Sequence, residues 1–108
     1  MNIEELVSLI KSRPGMFIRK NNLDILSHFI DGFFFNRYME EKQDKVDEEF
    51  QQKFNDWVRN WIKKNKKISL DKNRKYVFYI QQVCKEEDER IQMFFELCDE
   101  FFCELHKM

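Results

Sequence analysis

The sequence predicts an all-α protein, a single compact domain of four to five helices around a Phe-rich core that spans residues 1–108. Apolar residues recur at the 3.6-residue period of a helix through most of the chain, and the alternation typical of a strand is nowhere sustained. Two Gly and one Pro are too few for the turns of an all-β chain. Twelve Phe can fill a core without disulfide support.

The first helix is predicted at the N-terminus. Its apolar face comprises Ile3, Leu6, Val7 and Ile10. Asn2 can cap this helix, and Glu5 stands three residues later, as in a capping box.

A structural turn is predicted at Arg13, Pro14 and Gly15. Pro14 ends the first helix because it lacks an N–H group and pushes Arg13 out of the α region. Gly15 is expected to take a positive φ and reverse the chain. Met16 and Phe17 would then anchor the first helix to the second.

The second helix is predicted to begin near Asn22. Its apolar stripe comprises Leu23, Leu26, Phe29, Ile30, Phe33 and Phe34. Phe35 and Tyr38 widen the stripe, which predicts a central helix covered on more than one side. Gly32 costs about 1 kcal/mol relative to Ala in a helix, and therefore indicates that a neighbouring helix crosses closely there.

The remaining helices follow a polar stretch, residues 40–49, which is predicted to be a loop or a solvated helix end. A third helix carries Phe50, Phe54, Trp57, Val58, Trp61 and Ile62, and a fourth, after the lysine-rich residues 63–75, carries Tyr76, Val77, Ile80, Val83 and Cys84. A fifth carries Ile91, Phe94, Phe95, Cys98, Phe101, Phe102 and Leu105. No Gly or Pro separates the last two, so a single long bent helix is the alternative.

Charge is balanced in total but segregated along the chain. A net charge of −1 gives no global attraction to nucleic acid or to an acidic membrane surface. Residues 53–75 carry nine Lys or Arg against two Asp, a net charge of +7. Residues 40–49 have a net charge of −4 (six acids, two Lys) and residues 86–108 of −6 (eight acids, two bases). The segments either neutralise one another across helices or dock a charged partner.

Catalytic and metal-binding patterns are missing from the sequence. His28 and His106 lie in no catalytic motif, and the C-x4-C-x2-H spacing of Cys98, Cys103 and His106 is not that of a zinc finger. The three cysteines, which include Cys84, are therefore predicted to be reduced and buried. We expect no enzymatic activity, no metal and no cofactor.

The expected location is the cytoplasm. The N-terminus is acidic and amphipathic, unlike a signal peptide, and no run approaches the roughly 20 apolar residues of a membrane span. An odd number of cysteines also favours a reducing compartment.

One set of residues resembles a known family. The matching positions are Arg13 to Phe17, Leu26, Phe29, Ile30, Gly32, Phe33, Phe54, Trp57, Val58, Phe94, Phe95, Leu97, Asp99, Glu100 and Phe101. In this order they resemble small bacterial proteins found beside polymorphic toxins and regarded as their immunity proteins, the contact-dependent growth inhibition type among them. The chain departs from that pattern in its lysine-rich linker and in Tyr76, where Trp is common.

The resemblance implies an immunity protein that binds and neutralises a cognate toxin domain encoded nearby, with a nuclease as one candidate for the toxin. A basic toxin groove would be met by partner-binding residues in the two acidic segments, namely Glu40, Glu41, Asp44, Asp47, Glu48, Glu49, Glu86, Glu87, Asp88 and Glu89. The alternative is a nucleic-acid-binding helical module that uses the basic segment 53–75. The sequence leaves both a monomer and a homodimer open.

Overall fold

Five α-helices form the protein, in a computed structural model that describes residues 1–13, 15 and 22–107. They are α1 (Ile3–Ser12), α2 (Leu23–Met39), α3 (Lys45–Lys66), α4 (Tyr76–Val83) and α5 (Glu87–His106). No strand occurs within these described ranges. The predicted all-α class is therefore confirmed.

Side-chain caps fix the starts of the first three helices. Asn2 Oδ1 accepts a hydrogen bond from the Glu5 N–H at 3.0 Å, and the Glu5 carboxylate accepts one from the Asn2 N–H at 3.2 Å. This confirms the predicted capping box. Asn22 Oδ1 caps α2 by accepting the Ile25 N–H at 3.0 Å. Asp44 caps α3, which begins earlier than the sequence indicates because residues 45–49 are helical.

Aromatic rings from α3, α4 and α5 form the centre of the core. The ring of Phe50 stacks on Phe54 at a centroid distance of 4.4 Å and on Phe102 at 5.9 Å. Tyr76 stacks on Phe94 at 5.4 Å. Such pairs each add about 0.5–1.5 kcal/mol to the gain from burial alone, and the predicted Phe-rich core is confirmed.

Contacts at both of its ends show that α1 runs antiparallel to α5. His106 Nε2 lies 2.7 Å from Glu4 Oε1, and Lys11 Nζ lies 2.8 Å from Asp99 Oδ2. The start of α3 meets the end of α5 through Phe50 and Phe102. The start of α3 and the start of α5 therefore lie at opposite ends of the bundle.

The fourth and fifth helices are separate. The backbone leaves the helical region at Cys84 (φ −123°, ψ 129°), and α5 begins after Glu86. Arg90 Nε donates to the Cys84 carbonyl at 2.8 Å, which holds the bend. The acidic first turn of α5 suits the positive end of its dipole, as expected.

The predicted turn needs a correction at Gly15. Gly15 is exposed and is not among the described residues with a positive φ, and no described atom lies within 4 Å of where its Cβ would be. Arg13 ends α1 with a non-helical backbone (φ −141°, ψ 64°), as predicted. Pro14, Met16 and Phe17 lie outside the described residues.

Two predictions for α2 are wrong. Phe35 and Tyr38 are 64% and 70% exposed, so the helix is covered on one side and not on several. Gly32 is exposed, and no atom lies within 4 Å of where its Cβ would be, so no helix of the described chain crosses there. The buried side of α2 is formed by Leu23, Leu26, Ser27, Ile30 and Phe34.

The cysteines differ in burial. Cys98 is buried, as predicted, and Cys84 is half-buried, but Cys103 is exposed on α5. Burial raises the pKa of the Cys98 thiol well above its usual value, which disfavours the reactive thiolate. Among the described helices, none is long and apolar enough to cross a membrane.

Candidate protein-binding site

A buried carboxylate holds together the ends of three helices. Asp47 is 0% exposed. Its Oδ1 accepts the Ile3 N–H at 2.7 Å, and its Oδ2 accepts Arg37 Nε at 2.7 Å and the Asp44 N–H at 3.2 Å. The end of α2 is thereby fixed to the starts of α1 and α3. Asp47 was predicted to bind a partner, and this prediction is wrong because its carboxylate is enclosed.

The rest of the first acidic segment surrounds this carboxylate on the surface. Four exposed acids make up what we term the acidic corner: Glu40, Glu41, Asp44 and Glu48. Glu49 is half-buried, and its carboxylate lies 2.6 Å from Lys53 Nζ. It is therefore less available to a partner than Glu41 and Glu48, while Glu40 is paired with Lys42 and both Asp44 carboxylate oxygens accept hydrogen bonds.

The second acidic segment lies at the opposite end of the bundle. Glu87 accepts the Leu23 N–H at 3.3 Å and Arg90 Nη1 at 2.8 Å, so its carboxylate holds the start of α2. Asp88 and Glu89 line a surface hollow together with Lys66, from the basic end of α3. Glu86 is exposed beside them. Acidic and basic segments therefore lie side by side here, whereas at the acidic corner Glu40 Oε2 lies 3.5 Å from Lys42 Nζ within the same segment.

An open groove runs between α2 and α3 beside the acidic corner. It encloses about 610 Å³. Its lining comprises Ile30, Asp31, Phe34, Phe35, Tyr38, Gln43, Phe50, Gln51, Phe54, Asn55, Lys75 and Tyr76. The buried rings of Phe34, Phe50 and Phe54 form an apolar floor, and the exposed polar and aromatic residues form the rim.

Three large apolar side chains lie exposed on the last two turns of α2. Phe35, Tyr38 and Met39 are 64%, 70% and 64% exposed. Single exposed apolar residues are ordinary, but a contiguous cluster beside a groove is typical of an interaction surface. Aromatic residues of this kind are enriched at the energetic centres of interfaces.

Tyr76 contributes a buried polar atom to this site. Its N–H donates to Asn55 Oδ1 at 2.8 Å, which fixes the start of α4. Its hydroxyl is buried and has no hydrogen-bond partner among the described residues. Burial raises the pKa of this hydroxyl, and the negative charge of Asp31 raises it further. An unpaired buried hydroxyl costs about 1–3 kcal/mol.

In the basic segment, residues 53–75, an aromatic side chain packs inward and the lysines lie on the surface. Trp57 is half-buried between Phe54 and Phe101, and its Nε1 donates to Glu104 at 2.6 Å. Trp57 is therefore packed against the core, as the sequence indicated. The exposed lysines of this region, Lys63, Lys64, Lys66 and Lys67, gather at the end of α3, where the helix dipole favours cations.

No group of three His, Cys, Asp or Glu that could hold a metal ion occurs in the described part of the chain. His28 is exposed on α2. His106 Nε2 lies 2.7 Å from Glu4 Oε1, in the contact between α5 and α1.

No family model, no curated protein and no solved structure matches the chain. The likeness to immunity proteins therefore stays a prediction from the sequence.

Sequence reasoning missed the groove. Gln43, Asn55 and Lys75 line it but stand in three separate parts of the chain, and no local pattern joins them. The helical position of Phe35 did carry a signal, because it departs by about 100° from that of the buried Phe34. The position of Tyr38 departs by only about 40°, so its exposure was not indicated.

Proposed function

We propose that the protein is an immunity protein that binds a toxin domain through the acidic corner and the α2–α3 groove and blocks it. The observation that carries the proposal is the exposed aromatic cluster on α2 beside that groove. The resemblance of the sequence to immunity proteins supplies the nature of the partner.

The two parts of this surface would act differently. Exposed carboxylates speed the encounter with a basic partner and set its orientation, whereas buried aromatic anchors supply most of the affinity. The natural target is the basic substrate groove of a nuclease. The acidic corner is preferred over residues 86–89, because Glu87 is held by Arg90 and Leu23 and Lys66 lies nearby.

Co-expression with the toxin fragment encoded by the neighbouring gene tests the proposal. Pull-down and growth protection should both be lost when Phe35 and Tyr38 are replaced by Ser, with affinity lowered at least about thirtyfold. Ile68→Ser is the matched control, because Ile68 is exposed (39%), follows the end of α3 and does not line the groove. Equal binding by the double variant and the control would refute the site.

Charge reversal separates the two acidic segments. Glu40→Lys with Glu41→Lys should slow association with the toxin, and added salt should slow association of the wild type more than dissociation. Glu86→Lys with Glu89→Lys is the matched control and should change association less. The opposite ranking would move the interface to the start of α5.

The nucleic-acid alternative rests on the exposed lysines at the end of α3. It expects salt-sensitive binding of mixed DNA or RNA that is lost on changing Lys63 and Lys64 to Glu. That result, together with no toxin binding, would replace the immunity proposal.

A further inference from the structure

The outward side of α2 carries a stripe of exposed residues with a seven-residue repeat. Ile25, Gly32 and Met39 are seven residues apart, and His28 and Phe35 each follow three residues after the first two of them. This is the spacing of the seam along which two helices pack in a coiled coil. We term the stripe the outer seam, and it comprises the exposed residues Ile25, His28, Phe29, Gly32, Phe35 and Met39.

The outer seam contains no Asp, Glu, Lys or Arg. The three such residues of α2 are Asp24, Asp31 and Arg37, and they lie at least about 80° around the helix from Gly32. A basic partner would therefore find no opposite charge on the seam. An apolar helix face is the surface that complements it.

The large apolar residues of the seam are placed symmetrically about Gly32. Ile25 and Met39 lie seven residues before and after it, and Phe29 and Phe35 lie three residues before and after it. If two copies of α2 cross antiparallel at Gly32, Ile25 of each copy comes to the level of Met39 of the other. Phe29 likewise comes to the level of Phe35. A two-fold interface requires a self-complementary patch of this kind.

We propose that the outer seam binds a second copy of this chain, in a two-fold dimer whose α2 helices run antiparallel and cross at Gly32. No atom lies within 4 Å of where a Cβ of Gly32 would be, and a residue without a side chain lets another backbone approach closely. Glycine is otherwise unfavourable inside a helix. The crossing helix that Gly32 indicates then belongs to the second copy.

The exposed apolar area sets the strength of this dimer. If a large apolar side chain has about 200 Å² of surface, the exposed parts of the four such side chains in the seam amount to about 400 Å² per copy. Stable interfaces bury about 800 Å² per partner. The seam supplies about half of that area, so we expect a weak dimer with a dissociation constant in the micromolar range.

The dimer and the proposed toxin complex share one residue. Phe35 belongs to the outer seam and also lines the groove, so a toxin that covers Phe35 would displace the second copy. Tyr38 lines the groove but lies about 120° around the helix from Gly32. Ile25 belongs to the seam and does not line the groove. The dimer therefore goes beyond the proposed function and can be tested apart from it.

Analytical ultracentrifugation of the full chain, without any toxin, tests the dimer. Between about 1 µM and about 500 µM the wild type should pass from monomer to dimer. Gly32→Glu should weaken dimerisation at least about thirtyfold, because it brings two carboxylates together at the two-fold axis. Dilute Gly32→Glu should melt at or above the wild-type temperature, since Glu forms helix better than Gly. Its loss of dimer is then not a folding defect.

Gln52→Glu is the matched control, because it adds the same carboxylate at an exposed position of α3, outside the seam. This variant should dimerise like the wild type. A wild type that stays monomeric up to about 500 µM, or equal dimerisation by Gly32→Glu and Gln52→Glu, would overturn the inference.

A short bismaleimide cross-linker tests the antiparallel register, in protein whose exposed thiol is removed by Cys103→Ser. Ile25→Cys mixed with Met39→Cys should be cross-linked between copies. Ile25→Cys alone should not, because the two copies of residue 25 would lie about 21 Å apart along the helices. Cross-linking of Ile25→Cys to itself, and not to Met39→Cys, would show parallel helices and contradict the proposed dimer.

Failure of the immunity proposal looks different from failure of the dimer. Ultracentrifugation and cross-linking use no toxin, so their results stand even if the toxin fragment is not captured. Conversely, Tyr38→Ser should weaken toxin capture and leave dimerisation unchanged, and Ile25→Glu should do the reverse. A dimer lost in Tyr38→Ser and kept in Ile25→Glu would place the contact in the groove and refute the outer seam as the dimer interface.

Discussion

Replacing Asp47 by Ala should destabilise the protein more than any surface change. The carboxylate is 0% exposed and accepts hydrogen bonds from Arg37, Ile3 and Asp44. The Arg37 side chain is itself only 15% exposed, so its charge would be left largely buried without a counter-charge, and its remaining hydrogen bond would be to the Lys42 carbonyl.

Breaking a buried ion pair by removing one partner costs about 3–5 kcal/mol. Proteins of this size are stable by about 5–15 kcal/mol in total, so the loss is a large share. A domain of about 100 residues loses about 4–8 °C in melting temperature per kcal/mol. Asp47→Ala should therefore melt at least about 12 °C below the wild type.

Urea and thermal unfolding followed by circular dichroism measure this change. Asp56→Ala is the matched control, because the Asp56 side chain is 69% exposed in its pair with Arg59. Exposed pairs contribute about 0–1 kcal/mol. If Asp47→Ala costs no more than Asp56→Ala, Asp47 does not hold the helix ends together.

Three further outcomes are expected. Burial alone would raise the pKa of Asp44, but hydrogen bonds from the Asp47 N–H and the Asn2 side chain outweigh burial and hold this pKa below its usual value of 3.8. The ionised Asp44 therefore stabilises the fold above that usual value, and the stabilisation is lost as pH falls through the lowered pKa. In urea unfolding from pH 7 to pH 3, Asp44→Asn should reduce the loss of stability with falling pH. Gly15→Ala should change stability by no more than about 0.5 kcal/mol, and a larger loss of melting temperature would show that the backbone there needs glycine. Gly32→Ala should raise stability by about 1 kcal/mol in the same measurement, because a Cβ would meet no atom within 4 Å; a loss would show that something packs there.

Helix starts were predictable because their signals are local. Asn2 with Glu5, and Asn22 alone, place a side-chain oxygen within three residues of the N–H that it accepts. The apolar period likewise predicted which face of α1 is buried, including its first and last buried residues, Ile3 and Ile10. Capping and periodicity both act over one or two helical turns, so the sequence displays them directly.

Contacts between distant residues were not predictable in this way. Asp47 resembles its acidic neighbours in sequence, and its burial depends on Arg37 and on the Ile3 N–H, 44 residues away. The Tyr76 ring packs against Phe50 and Phe54 of α3 and Phe94 of α5, and its buried hydroxyl has no hydrogen-bond partner in the described chain. The number of charged residues in a segment does not show which of their side chains is buried.

The run Phe33, Phe34 and Phe35 shows why the exposed cluster points to a partner. Successive helical residues are about 100° apart, so three consecutive Phe cannot all face the core. Phe34 is 7% exposed and Phe35 is 64% exposed. Phe35 therefore gains little from folding, and a polar residue there would leave the core unchanged. Its apolar area becomes useful to the protein only when another surface covers it.

The buried carboxylate and the groove are connected through the end of α2. Arg37, which Asp47 holds, lies on the inner side of the same turn that carries Tyr38 on the rim. Loss of the Asp47 contact would release this turn and shift the rim, although the Asp47 carboxylate itself is enclosed. Under the proposed function, reduced toxin binding in an Asp47 variant would therefore reflect the position of α2, whereas replacement of Phe35, which we propose contacts the toxin, would reduce binding at unchanged stability.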